Sequence, residues 1–289
     1  MPRSRPVETT LDATALRSLP LPDDEQDDKR HRGTVLVIGG SVETPGAALL
    51  AGVAALRMGA GRLQIASAPP VLAQLGVAIP EALVIPDDLG SPGLSQRVAT
   101  ADAVVVGPGL SDPDHAVDLL GLVLEHAASG TVVVVDAMAL DALVTLSDRL
   151  ADSAARIIVT PNREELDRLA TGESEDVPVE CVVAQDYGVT VVSFGRIAGP
   201  DGRCYVDRGT VMGLGTSGAG DILAGAIGGV AARSGDVLTA AAWAMLGHRV
   251  AANRAAAAIA PLGYIAREIV DELPRALAEL HGLMAARDG

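Results

Sequence analysis

Among 289 residues there is one lysine, and there are two cysteines and five aromatic residues. The lysine, Lys29, lies in the acidic run Asp23-Asp24-Glu25-Gln26-Asp27-Asp28-Lys29-Arg30. No core lysine is left for a Schiff base or for a Walker-type phosphate loop. Cys181 and Cys204 show no paired spacing, which argues against a disulfide framework and a cysteine zinc site. Five aromatics leave little material for base-stacking platforms or an aromatic cage. Cations are scarce too: 22 Lys plus Arg against 37 Asp plus Glu give a net charge of −15. A nucleic-acid partner is excluded on that balance, because such binding rests on cations meeting phosphates. A nucleotide ligand is not, since backbone N–H groups hold phosphate without a basic surface. Arg3 and Arg5 are followed by no apolar stretch, so no secretory signal is read. The longest apolar runs, such as Ile222 to Ala232, are too short to span a bilayer. A cytoplasmic protein without membrane contact is expected. The histidines at 31, 115, 126, 248 and 281 lack metal-ligand spacing, and no G-x-S-x-G nucleophile elbow occurs.

Apolar residues make up 49% of the chain, enough for a sizeable core. Residues 1–32, rich in Pro, Asp and Arg, read as a flexible, acidic extended arm with one short helix near Asp12–Leu19. From Gly33 to Gly289 a single α/β domain is expected. Thr34–Ile38, Leu63–Ala66, Ala82–Ile85, Ala103–Val106, Thr131–Val135, Arg156–Val159 and Thr190–Ser193 read as strands. Most are apolar on both faces, as in a parallel sheet covered by helices on each side. Helices are expected near 45–59, 69–76, 113–128, 138–147, 162–171 and 177–186, an alternation typical of βαβ units. Phe194–Asp207, with its Gly199-Pro200-Asp201-Gly202 cluster, reads as a β-hairpin. The remainder reads as helices over 220–233, 237–258 and 262–281. The alanine-rich helix 237–258 suits either close packing on a partner subunit or a place within the core.

Chemistry concentrates in Gly213-Leu214-Gly215-Thr216-Ser217-Gly218-Ala219-Gly220-Asp221 ahead of an apolar helix. Glycines let successive N–H groups turn inward, and the helix N-terminus adds partial positive charge, so an anion is welcome there. Asp221-Ile222 stands where a Walker loop needs Lys-Ser/Thr. A carboxylate beside phosphate is repulsive unless it has a task, such as taking a proton from an attacking hydroxyl. The plainer alternative is an N-cap aspartate, worth about 1 kcal/mol. Gly39-Gly40-Ser41-Val42-Glu43-Thr44-Pro45-Gly46-Ala47 follows the first strand and opens a helix, but does not fit G-x-G-x-x-G. Gly107-Pro108-Gly109 ends another strand. Asp136 and Thr160-Pro161-Asn162-Arg163-Glu164-Glu165 follow two more. Glu164 or Glu165 could hold a metal through water; for Glu165, complementing the helix dipole is the simpler role.

Together these segments resemble the ribokinase superfamily, and more narrowly the NAD(P)H-hydrate dehydratases. The motifs run in that family's order over roughly residues 33–275: VIGGS with PGAALLAGVAALRMGAGRL, PEALV, VVGPGL, VVVDAMALDAL, VTPNREELDRL and GAGDILAGAIGGVAARSG. The resemblance implies a three-layer α/β/α sandwich with a mostly parallel sheet and a helical C-terminal region. It implies a lyase of metabolite repair that restores hydrated NADH or NADPH with ADP, or ATP, as co-substrate and Mg²⁺. Phosphoryl transfer to the ring hydroxyl and loss of phosphate would give NAD(P)H, AMP and phosphate. Asp221 would be the base, and Gly218, Ala219 and Gly220 would present N–H groups to the phosphate. Ala47, Gly109, Asn162 and Asp221 would contact the hydrated nicotinamide. Phe194, Gly195, Arg196, Ile197, Ala198 and Gly220 would contact the nucleotide. The family usually has His at 162 and Lys at 194. The lysine's charge is lost here unless Arg196 reaches back. Relatives assemble as tetramers or dimers, and the epimerase domain often fused ahead of the dehydratase is missing, so a separate chain would supply it. The same loop and aspartate would serve an ATP-dependent small-molecule kinase, or a catalytically silent nucleotide-binding relative.

Overall fold

Short, largely apolar runs of four to six residues, several of them valine-rich and too short for stable helices, build the centre of the sheet. The protein is described by a computed structural model over residues 6–22, 31–170, 172, 176–209 and 214–285. The chain opens with β1 (Glu8–Thr10) and α1 (Ala13–Leu16). The alternating region follows as β2 (Thr34–Ile38), α2 (Pro45–Arg57), β3 (Arg62–Ser67), α3 (Leu72–Ala78), β4 (Ala82–Pro86) and α4 (Pro92–Thr100). It continues through β5 (Ala103–Val106), α5 (Pro113–His126), β6 (Val132–Val135), α6 (Met138–Thr145) and α7 (Ser147–Asp152). Next come β7 (Arg156–Val159), α8 (Arg163–Leu169), α9 (Val179–Tyr187) and β8 (Thr190–Ser193). The hairpin of β9 (Arg196–Ala198) and β10 (Cys204–Val206) leads to α10 (Ala219–Ser234), α11 (Val237–Ala258) and α12 (Ala266–Ala285).

Among the described residues the strands form one sheet in the order β1-β10-β9-β8-β7-β6-β5-β2-β3-β4. From β8 to β4 every neighbouring pair is parallel, whereas β9 runs antiparallel to both β8 and β10. Alternate side chains enter two separate cores. Val35, Val37, Val105 and Val134 pack with α2, α10, α11 and α12. Leu36, Ile38, Val104, Val106 and Val135 pack with the layer that α4 to α9 form on the other face. The expected strands recur within a residue or two, and the hairpin forms where its Gly-Pro-Asp-Gly turn placed it.

The N-terminal arm differs from expectation over residues 8–21. β1 adds to the sheet edge parallel to β10, with Glu8 opposite Cys204. Leu11, Leu16 and Leu21 are buried in the core beneath α11 and α12. Burying a leucine contributes about 1.5–3 kcal/mol, enough to dock a short segment against its loss of freedom. Asp12 caps α1, and the Trp243 indole N–H donates to the Leu19 carbonyl at 2.6 Å. The acidic run 23–30 and Gly213, which opens the glycine-rich segment, lie outside the described residues. α4 was not anticipated: only Leu94 and Val98 of its nine residues are buried, too sparse an apolar stripe to read. No helix among the described residues is long and apolar enough to cross a membrane.

Candidate active site

The strand order reverses between β2 and β5. The chain runs outward through β3 and β4, then returns to the other side of β2 and continues outward to β8. At such a switch point the loops after the two strands part, and ligands of open α/β sheets bind in that crevice. Here the two loops are latched together. Gly40 N–H donates to the Pro108 carbonyl at 2.8 Å. The Thr44 hydroxyl donates to the Gly109 carbonyl at 2.9 Å and lies 2.9 Å from that of Ser41. Gly109 takes a left-handed φ of 71°, and a Cβ there would meet the Ala47 Cβ at 2.7 Å. The two residues expected to line the substrate pocket are thus direct neighbours. A cavity of about 640 Å³ opens beside them, lined among others by Gly40, Ser41, Glu43, Leu110 and His115. A wider groove of about 1030 Å³ lies at the opposite end of the strands, by Arg156, Thr190 and Asp236. It is remote from every residue of the switch point.

Two parallel helices carry the remaining groups. A Cβ on Gly225 would lie 2.0 Å from the Ala51 carbonyl oxygen, and one on Gly229 2.4 Å from that of Ala55. Only glycine lets the backbones of α10 and α2 come this close. Both pairs advance four residues together, so one turn earlier the same register sets Asp221 beside Ala47. The N-termini of α2 and α10 therefore converge on one crevice and bring their positive dipole ends to it. Gly218, the N-cap of α10, has φ 90° and packs against Leu50 and Ala266. Ala219 N–H is already spent on the Thr216 carbonyl at 3.1 Å. The N–H groups of Gly218 and Gly220 have no hydrogen-bond partner among the described residues. Of the three expected phosphate donors, these two remain available. Behind the loop His248 sits fully buried, its pKa pushed down to about 4 by burial, and bonds the Ala219 backbone as a neutral ring.

Asp221 is not the N-cap, since that position is Gly218. Its carboxylate has no hydrogen-bond partner among the described residues. Burial alone raises its pKa to about 6. An unpartnered, partly desolvated carboxylate of that basicity is suited to receive a proton near neutral pH. Asp136, at the end of β6, is buried completely, and desolvation lifts its pKa to about 7. The Thr160 hydroxyl donates to it at 2.8 Å and opposes that rise, while the negative charge of Asp221 adds to it.

On the far side of the crevice the outcome is mixed. Asn162 is the N-cap of α8: its side chain accepts from Glu165 N–H at 3.0 Å, and Glu165 returns the bond to Asn162 N–H at 2.8 Å. Glu165 is thereby held in a capping box, legible in Asn-x-x-Glu, and Asn162 keeps only its amide NH₂ for a ligand. Phe194 and Gly195 sit at the C-terminal end of β8, Phe194 exposed and at φ 47°. Arg196 does not reach back. Its guanidinium lies 2.7 Å from Glu8, 2.9 Å from the Cys204 sulfur and 3.6 Å from Glu180. The side chains of Ile197 and Ala198 are buried in the two cores. Because β9 runs antiparallel to β8, the chain turns back along the sheet at Phe194 and Gly195, both at positive φ. Sequence reading missed Arg163, whose guanidinium stands 4.6 Å over the Phe194 ring. No cluster of three metal-binding side chains occurs among the described residues.

Comparison with known proteins decides the family. The NAD(P)H-hydrate dehydratase model matches residues 35–275. The chain belongs to that family. It is 40% identical over 292 aligned residues to an ADP-dependent (S)-NAD(P)H-hydrate dehydratase of Xanthomonas campestris pv. campestris, covering 94% of this chain and 96% of the relative. The ADP/ATP-dependent NAD(P)H-hydrate dehydratase of Bacillus subtilis, co-crystallized with ATP/Mg²⁺, superposes with a TM-score of 0.75 at 27% identity. That match covers 94% of this chain and 98% of the other. A ribokinase-like superfamily protein of Enterococcus faecalis, 23% identical, shares the fold with a TM-score of 0.80 over 94% of this chain and 96% of its own. The architecture is thus ribokinase-like, and the three-layer sandwich expected for dehydratases of this family is the one observed.

Proposed function

We propose that this chain is an ADP-dependent (S)-NAD(P)H-hydrate dehydratase, a hydro-lyase of cofactor repair. The observation that carries the reading is the unpartnered carboxylate of Asp221, set by helix register beside Ala47 and the Gly109 turn. The hydrated nicotinamide lies in that crevice with its ring hydroxyl toward Asp221. Asp221 removes the hydroxyl proton as the oxygen attacks the terminal phosphorus of ADP. The new O–P bond forms as the bridging P–O bond breaks, and AMP leaves. The N–H groups of Gly218 and Gly220 hold the transferring phosphoryl oxygens at the α10 N-terminus. Phosphate then departs with the C–O electron pair and a proton leaves the adjacent ring carbon, which restores the double bond of NADH or NADPH.

Mg²⁺ would supply charge neutralisation on the nucleotide phosphates. The residues present suit a cation held chiefly by phosphate oxygens, as Mg²⁺ commonly is, with the exposed Glu164 carboxylate for one water-mediated contact. Homo-oligomer formation belongs to this reading, and α11 buries one face, from Thr239 to Ala255, within the protomer. On this reading the chain works in the cytoplasm, on the S form of the hydrate. The test is recovery of absorbance at the reduced-nicotinamide band from prepared NADH hydrate, with Mg²⁺ and either ADP or ATP. Recovery that needs one nucleotide names the donor. Folded protein giving no recovery with either overturns the reading, and phosphorylation of an added alcohol by ATP would favour a kinase instead.

A further inference from the structure

We infer that Arg163, seated on the ring of Phe194, is the cation that binds the nucleotide diphosphate in this chain. The inference rests on the dehydratase reading for the identity of the nucleotide, and on geometry for the residue. Arg163 begins α8 at the C-terminal end of β7, and Phe194 follows β8, the neighbouring parallel strand. Both therefore stand on the edge of the sheet where the Gly218 loop and Asp221 lie. The guanidinium carbon is 4.6 Å from the ring centroid. Among the described residues Arg163 has no carboxylate or hydrogen-bond partner, in a chain whose net charge is −15. Arg196, just after this turn, is spent on Glu8.

Phe194 is the sole phenylalanine, 57% exposed, on a backbone at φ 47° that non-glycine residues rarely adopt. A large apolar ring held out into solvent at a strained position needs a task, and here the ring is a platform. The turn beneath it is fixed: the Ser193 hydroxyl donates to the Pro161 carbonyl at 2.6 Å, tying the end of β8 to the loop that carries Arg163. With no partner among the described residues, this guanidinium has N–H groups free for two phosphate oxygens at once.

Titration calorimetry with ADP, AMP and adenosine tests this directly. Arg163→Ala is expected to weaken ADP about tenfold or more, AMP less, and adenosine not at all. The difference from wild type should shrink at high salt. Phe194→Leu should lose a few-fold of ADP affinity, and Phe194→Lys placed in the Arg163→Ala chain should regain most of the loss. Arg163 is exposed, so its variant keeps the fold, and a thermal melt checks that. An unchanged ADP dissociation constant in Arg163→Ala overturns the inference, as does an equal loss for adenosine. The titrations need no turnover. Failure of wild type to restore NADH from its hydrate would therefore sink the dehydratase reading while leaving the role of Arg163 to be decided by ADP binding.

Discussion

The two walls of the crevice are made differently. The wall of β2, β5, α2 and α10 is backbone against backbone: latched loops, helices in glycine contact, N–H groups open to a ligand. The wall of β7 and β8 is side chain against side chain, with Arg163 on Phe194 and Asn162 capping α8. Backbone contact fixes geometry and tolerates almost no substitution, whereas exposed side chains can exchange a lysine for an aromatic and an arginine. In the proposed function the chemistry is mounted on the first wall and nucleotide recognition on the second. The departures from the family's usual residues, at 162 and 194, both fall on the second.

Substitutions should break this asymmetry in order of size. Asp221→Asn removes the base and should lower kcat by about 10²–10⁴-fold while ADP binding stays within a few-fold, read by the hydrate assay and calorimetry. Retained turnover would remove Asp221 from its role. Gly225→Ala puts a methyl 2.0 Å from the Ala51 carbonyl oxygen and should cost about 3 kcal/mol, seen as a lower midpoint in urea. A neutral effect would mean that the seam is not close-packed. pH should separate the walls as well. The pKa of Asp221 is raised to about 6, so its proton must be lost before it can act, and kcat should fall about tenfold per unit below that pH. Stability moves the opposite way. Asp136 and Asp221 bind protons more tightly folded than unfolded, so the stability these two groups contribute is full below about pH 4 and is lost as pH rises through about 6 to 7. Asp221→Asn should therefore be the more stable protein at pH 8, by on the order of 1–3 kcal/mol, with the gap closing near pH 4 in paired melts. The smallest effect expected is from Thr160→Val. It deprives Asp136 of its hydroxyl donor, at a cost of about 1 kcal/mol that grows as pH rises.

What the sequence revealed follows the same division. Val132–Val135 and Ala103–Val106 could be read because a strand buried on both faces is apolar at every position. The stretch around Gly218 and Asp221 could be read because glycine density beside a helix start has few other uses, whereas Ala47 and Gly109 could be read only through the family resemblance. The stacking of Arg163 on Phe194 could not, since residues 31 apart meet only through the order of β7 and β8. Nor could the diversion of Arg196, which depends on β1 joining the sheet edge and presenting Glu8. The docked arm escaped notice because Leu11, Leu16 and Leu21 keep neither a strand nor a helix period.

The Gly225 and Gly229 seam also sets how this site can move. With α2 and α10 pressed together along their backbones, Asp221 and the substrate turn travel as one rigid bar. On the dehydratase reading, a substrate as large as a dinucleotide then enters and leaves by motion of the opposite wall and the loops, while Asp221 and the turn that would hold the substrate keep their spacing between turnovers.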